Sequence, residues 1–215
     1  MPRAAWLALA VLATPALANS VDDAQAAYEA GRHSEAFTLI KAAAEAGNAE
    51  AQGKLGYLYM AGVGTPSKPQ EGAKWLTLAA EKNYHNAKHA LCVAHLRGLG
   101  VRRDQGRAVA WCQSPAEDGN ERAMTDLGLM YIRGDGVTRD LAKARDLFMA
   151  AAGKGEPRAQ RNLAIMLSNG DAGYRDPIAA TMWNGLAGMN RDVCIDIDWC
   201  PKRQKPPALP ERPSK

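Results

Sequence analysis

A repeat of 36 residues is the feature that most limits what this chain can become. The segment from Leu55 to Gly64 returns as Leu91 to Gly100, as Leu127 to Gly136, and in weaker form as Leu163 to Ala172, with no insertion between copies. Three columns run through all four copies: Ala51, Ala87, Ala123 and Ala159; Leu55, Leu91, Leu127 and Leu163; Gly62, Gly98, Gly134 and Gly170. A second set follows in step, with Trp75, Trp111, Leu147 and Trp183, then Ala79, Pro115, Ala151 and Ala187. A unit this short cannot cover its own apolar side, so copies in register must stack.

Each column has a local reason. Ala51, Leu55, Leu58 and Tyr59 fall on one face of a helix, helix A of the unit. The Gly62-x-Gly64 pair ends it, because a chain that reverses after a helix needs residues tolerant of positive φ. Asp104, Asp140 and Asp176 stand where a carboxylate accepts from the first free amides of helix B, and Pro177 suits the first position of that helix. Helix B is expected to bury its Trp or Leu and its Ala, before a turn at Gly119 or Gly155 leads to the next unit. Pro115 is expected to interrupt helix B of its copy. Ala36, Leu39, Ala43 and Gly47 fit the helix B columns, and residues 22–30 supply a shortened helix A with Tyr28. The array thus runs from about Val21 to Met189, about four and a half hairpins. The expected fold is all-α, a solenoid of antiparallel helix hairpins.

Composition agrees where it bears on the argument. Aromatic residues make up only 6% and alanine is the commonest letter, which disfavours a fold of β-branched strands. The formal charge of +4 resides at the ends: once Arg3 and residues 201–215 are set aside, 21 basic residues face 22 acidic ones. A near-neutral body gives no compositional support to a duplex-binding basic face, and no nucleic-acid partner is expected.

Residues 1–18 read as a secretory signal: Arg3, an apolar run from Ala4 to Ala13, Thr14-Pro15, and a cleavage site after Ala16-Leu17-Ala18. The apolar run is too short to span a bilayer, so no membrane insertion is expected after cleavage. Residues 19–189 form the array, 190–200 a C-terminal cap, and 201–215, with five prolines, a disordered basic tail. The expected location is the periplasm or outside the cell.

The pattern Ala, Leu-Gly, Tyr, Gly-x-Gly-Val, Asp, Ala, Trp, Ala-Ala, Gly, Ala at this period resembles the Sel1-like repeat, a relative of the tetratricopeptide repeat. The resemblance covers nearly all of residues 21–189. It departs locally at Gly72, Ala172 and Pro115. It implies an α-solenoid that binds other proteins, in a family whose bacterial members include periplasmic regulators and secreted factors, with helix A lining the concave side. Carried onto this sequence, the positions facing that side are Tyr57, Val93, Leu129 and Ile165, then Met60, Leu96 and Ile132, edged by Arg97 and Arg133. Arg122, Arg158 and Arg161 are candidates for the other edge. An apolar floor between guanidinium groups suits a peptide or helix with hydrophobic anchors and acidic residues. Part of the same stripe would equally serve as packing between successive A helices.

Four cysteines in an exported chain allow three disulfide connectivities. Cys92 and Cys112 lie ten residues either side of Arg102, the middle of the turn, so a hairpin places them at one height. We expect Cys92 with Cys112 and Cys194 with Cys200.

His85, His89, Cys92 and His95 cluster within one helix and would suit zinc or copper. His95, however, falls in the column of Tyr59 and Tyr131, and Cys92 is expected to be oxidised, so neither metal nor cofactor is assigned. No Ser-x-x-Lys, Gly-x-Ser-x-Gly or His-Glu-x-x-His occurs. The acid pairs Asp22-Asp23 and Asp196-x-Asp198 lie in the end segments and read as caps and solvated charges. The expected function is a non-enzymatic adaptor or regulator binding a protein or peptide; the alternatives are an enzyme acting on cell-wall material and a metal-handling protein.

Overall fold

A computed structural model describes residues 16–189 of the 215-residue chain. The residues described contain ten α-helices and no strand. In order they are α1 (Ala16–Glu29), α2 (His33–Glu45), α3 (Ala49–Ala61), α4 (Pro69–Glu81), α5 (His85–Arg97), α6 (Gln105–Glu117), α7 (Glu121–Arg133), α8 (Leu141–Gly153), α9 (Pro157–Asn169) and α10 (Pro177–Met189). Odd-numbered helices are the A helices of the sequence repeat and even-numbered ones the B helices. Packing runs between neighbours in sequence, first within each hairpin and then between hairpins, so the molecule is an α-solenoid. The expected cleavage point, Ala18, falls within α1, and the expected cap, tail and Cys194–Cys200 pair lie outside the described residues.

The repeat columns have physical roles. Ala51, Ala87, Ala123 and Ala159 are wholly buried, which lets the odd helices sit close to their neighbours. Gly62, Gly98, Gly134 and Gly170 adopt left-handed conformations and end α3, α5, α7 and α9. The second loop glycine is set by contact as well: a Cβ at Gly64, Gly100 or Gly136 would run into the carbonyl of His33, Pro69 or Gln105 in the preceding even helix. Where Ala172 takes this column, the loop winds instead into a 3-10 turn over Asp171–Gly173. Asp104, Asp140 and Asp176 accept from the amides of Arg107, Lys143 and Ala179 at 2.9, 3.0 and 2.9 Å.

Two expectations about the even helices need correction. Pro115 does not interrupt α6, which is continuous to Glu117. The proline lies in the last turn, where its missing amide removes only the bond to the Trp111 carbonyl before the helix ends anyway. The Trp and Leu column is buried in α10, at Trp183, but not in α4, α6 and α8. Trp75, Trp111 and Leu147 are half-buried, and the wholly buried residues are their C-terminal neighbours Leu76, Cys112 and Phe148. Trp111 instead lies across two adjacent core clusters, sealing the seam between hairpins.

Candidate functional site

Helices α3 and α5, neighbours on the odd-numbered layer, frame an apolar groove of about 280 Å³. Tyr57, Met60, Val93 and Ala94 supply much of its wall, and Arg97 of α5 and Arg122 of α7 line it as well. The Tyr57 hydroxyl donates to the Asn86 carbonyl at 3.2 Å, which fixes its ring against the start of α5.

The expected stripe serves both uses at once. Tyr57, Met60, Val93 and Arg97 line the groove, and Tyr57 and Met60 also pack on the core around Leu76 and Leu91. Leu96 is half-buried against the core around Cys92 and Cys112, and Leu129 and Ile132 pack on the core around Phe148 and Leu163. Arg133 is exposed, and Ile165, 51% exposed, stands further along the same layer. Arg161 is exposed as well.

From the wall of the groove runs an ionic relay that the sequence columns do not reveal. His89 of α5 places Nε2 2.8 Å from Asp126 Oδ2 of α7, and Arg158 of α9 donates to Asp126 Oδ1 at 2.9 Å. Three successive odd helices are thus tied through one carboxylate. Burial pushes the Asp126 pKa up, but the hydrogen bond and charge of His89, with the Arg158 guanidinium, outweigh it and hold the carboxyl below its usual range. An ionised carboxylate only accepts, so His89 is the donor. The three residues occupy three different repeat positions, and no periodic signal links them.

The four residues of the metal candidate are engaged otherwise. His85 pairs with Asp118 at 2.9 Å, His89 with Asp126, and His95 Nδ1 with the Arg102 carbonyl at 3.3 Å. Cys92 is bonded to Cys112, with Cα atoms 5.2 Å apart. Among the described residues no group of three His, Cys, Asp or Glu comes together as a metal site, and no helix is long and apolar enough to cross a membrane.

Stacked helix hairpins with an apolar groove on one layer define an α-solenoid of the protein-interaction class. The Sel1 repeat model matches residues 49–84, 85–120, 121–156 and 157–189, and the chain belongs to the Sel1 repeat family. Repeats of this family generally serve as non-catalytic scaffolds for protein–protein interaction. Among solved structures, a Sel1 repeat protein from Oxalobacter formigenes is 29% identical, with a TM-score of 0.75 over 84% of this chain and 75% of that one. Another is c5321, a protective antigen present in uropathogenic Escherichia coli strains displaying an SLR fold: 33% identity and a TM-score of 0.68 over 73% of this chain and 33% of that longer one. Among curated proteins the sequence finds no match.

Proposed function

We propose that the protein is an exported adaptor or regulator that holds a segment of another polypeptide in the groove between α3 and α5. The observation that carries this reading is the groove itself, an apolar trough of about 280 Å³ that Arg97 and Arg122 also line. A hydrophobic side chain would seat against Tyr57, Met60 and Val93, and a flanking carboxylate would meet a guanidinium. Support for export comes from the signal pattern of residues 1–18 together with the Cys92–Cys112 disulfide, a bond that persists in oxidising compartments.

The experiment pairs location with binding. The protein is expressed in a bacterial host, the envelope fraction is collected, and the captured partner is compared for wild type and for Val93→Asp combined with Arg97→Glu. A mature N-terminus at Asn19 and loss of capture by the variant, with helicity unchanged, are expected. Retention of the full leader would overturn the export reading, and capture that survives the double substitution would overturn the groove. Leu96, Leu129 and Ile132 are unsuitable for this test because they pack on the core.

A further inference from the structure

Helix α5 works on two sides. Val93 and Arg97 line the groove just described, whereas Leu91 and His95 lie about 200° round the helix from Val93 and Arg97 respectively and line a second cleft, between α4 and α6. This cleft has a volume of about 680 Å³, inside the range of roughly 300–1,000 Å³ typical of ligand sites. The half-buried Val101 and Trp111 provide its apolar surface, and the exposed Arg102, Arg103 and Arg107 its charge.

Two observations separate this cleft from its counterparts along the solenoid. The first concerns Arg103. Its equivalents Arg139 and Arg175 donate from Nε to the carbonyls of Ile132 and Ser168, and Ser67 does the same to Met60 through its hydroxyl. Arg103 makes no such bond among the described residues, and Arg102 engages His95 only through its backbone carbonyl. Among the described residues, neither guanidinium group has a partner in the cleft that both line.

The second observation is the local charge. The preceding copy has Pro66 and Glu71 where this one has Arg102 and Arg107. In the following copy Thr138 replaces Arg102, and the cleft contains Glu117 and Asp146 beside Lys143. Among the described residues that line the cleft, Asp104 is the one acid facing the three arginines, and it is already engaged, accepting from the Arg107 amide at 2.9 Å with Arg107 Nε 3.7 Å away.

We propose that the cleft between α4 and α6 is a second binding site, which takes an acidic stretch of polypeptide with its carboxylates on Arg102, Arg103 and Arg107 and a neighbouring apolar side chain on Val101 and Trp111. A guanidinium fork matches a carboxylate bidentately, and the apolar floor suits a side chain between acids. The positive field is confined to one copy of the repeat, which fits a short acidic run; a nucleic-acid backbone needs basic residues along its whole track. Since the two clefts lie on opposite sides of α5, occupancy here is independent of the groove between α3 and α5.

The test titrates the purified protein, disulfide intact, into a fluorescein-labelled peptide in which four acidic residues flank one leucine, read by anisotropy. Saturable binding is expected, weakened about tenfold or more by Arg102→Ala with Arg103→Ala and by replacing the acids with amides. Lys41→Ala with Lys74→Ala should leave it within about twofold of wild type, since both are exposed and neither lines this cleft or the groove. Absence of binding, equal loss in the Lys41 and Lys74 variant, binding lost with Arg97→Ala but kept by the Arg102 and Arg103 pair, or tighter binding of inorganic phosphate or oligothymidylate than of the peptide would each overturn the proposal. Should the alanine pair melt early, Arg102→Lys with Arg103→Lys carries the test. That pair keeps the charge but not the fork and should bind about threefold weaker; unchanged affinity would overturn the site.

Discussion

At the scale of single residues, the Cys92–Cys112 pair shows how a repeat absorbs a covalent bond. A Cβ at Gly56 would lie 2.6 Å from Leu76, and one at Gly128 would lie 2.7 Å from Phe148, so each of these copies sets a glycine against a large side chain. In the copy between them the same two columns hold Cys92 and Cys112, and the disulfide occupies the space of that glycine and large residue. Replacing both cysteines by alanine should cost about 3 kcal/mol, from opening a 20-residue loop. Cys92→Gly with Cys112→Leu, which restores the neighbouring arrangement, should regain about 1 kcal/mol or more over the alanine pair. Guanidinium unfolding of the three proteins checks this, and equal midpoints for the two variants would reduce the pair to a crosslink without a packing role. Pro115 teaches a related lesson: a proline read as a breaker is harmless where the helix has one turn left to run.

Helices in this protein are joined at their ends and through their buried polar groups. Asn48, Asn120 and Glu156 cap α3, α7 and α9, accepting from Ala51, Ala123 and Ala159 at 2.9, 2.9 and 2.6 Å. These caps recur at the repeat period and were open to a reading by column, a signal passed over beside the more regular Asp104, Asp140 and Asp176. Glu156 also accepts from the Thr125 hydroxyl at 3.3 Å, so a cap of α9 is tied into α7. The relay through Asp126 is the stronger tie. Its carboxyl is held below the usual value of 3.8, so its contribution to stability is present above that value and is lost as pH falls through the lower, folded one. Asp126→Asn should therefore destabilise the protein by about 3 kcal/mol at pH 7 and flatten the fall in stability below about pH 4. Urea unfolding followed from pH 7 down to pH 2.5 measures both, and an acid limb as steep as that of wild type would place the effect elsewhere.

The whole molecule is a stack in which each hairpin rests on its neighbours, and stability is accordingly local. The α10 end carries Ile178, 77% exposed, together with Met182 and Met189, while Trp183 is buried at 8% and closes the last hairpin against α9. Trp183→Ala should cost about 3–5 kcal/mol where it acts, which makes α9 and α10 exchange first. Amide hydrogen exchange should show protection lost in those two helices while α5 to α8 retain theirs; uniform loss along the chain would mean that the stack unfolds as one unit.

Much of this was legible in the letters. The 36-residue period, the loop glycines, the Asp caps and the pairing of Cys92 with Cys112 follow from short-range spacing, because a helix, its turn and its hairpin partner are set by residues close in the chain. What periodicity could not do was divide one apolar stripe between core and surface. Met60 lines a groove while also packing on the core around Leu76, whereas Leu96 and Ile132, in the same column, pack on cores without lining it, since the outcome depends on what the neighbouring hairpin brings against each position. The shift of the buried column from Trp111 to Cys112 and the union of His89, Asp126 and Arg158 have the same origin. Sequence alone determined the repeating unit and how it turns; only the stacking of one unit on the next decided which side chains are shared between copies and which are left open to a partner.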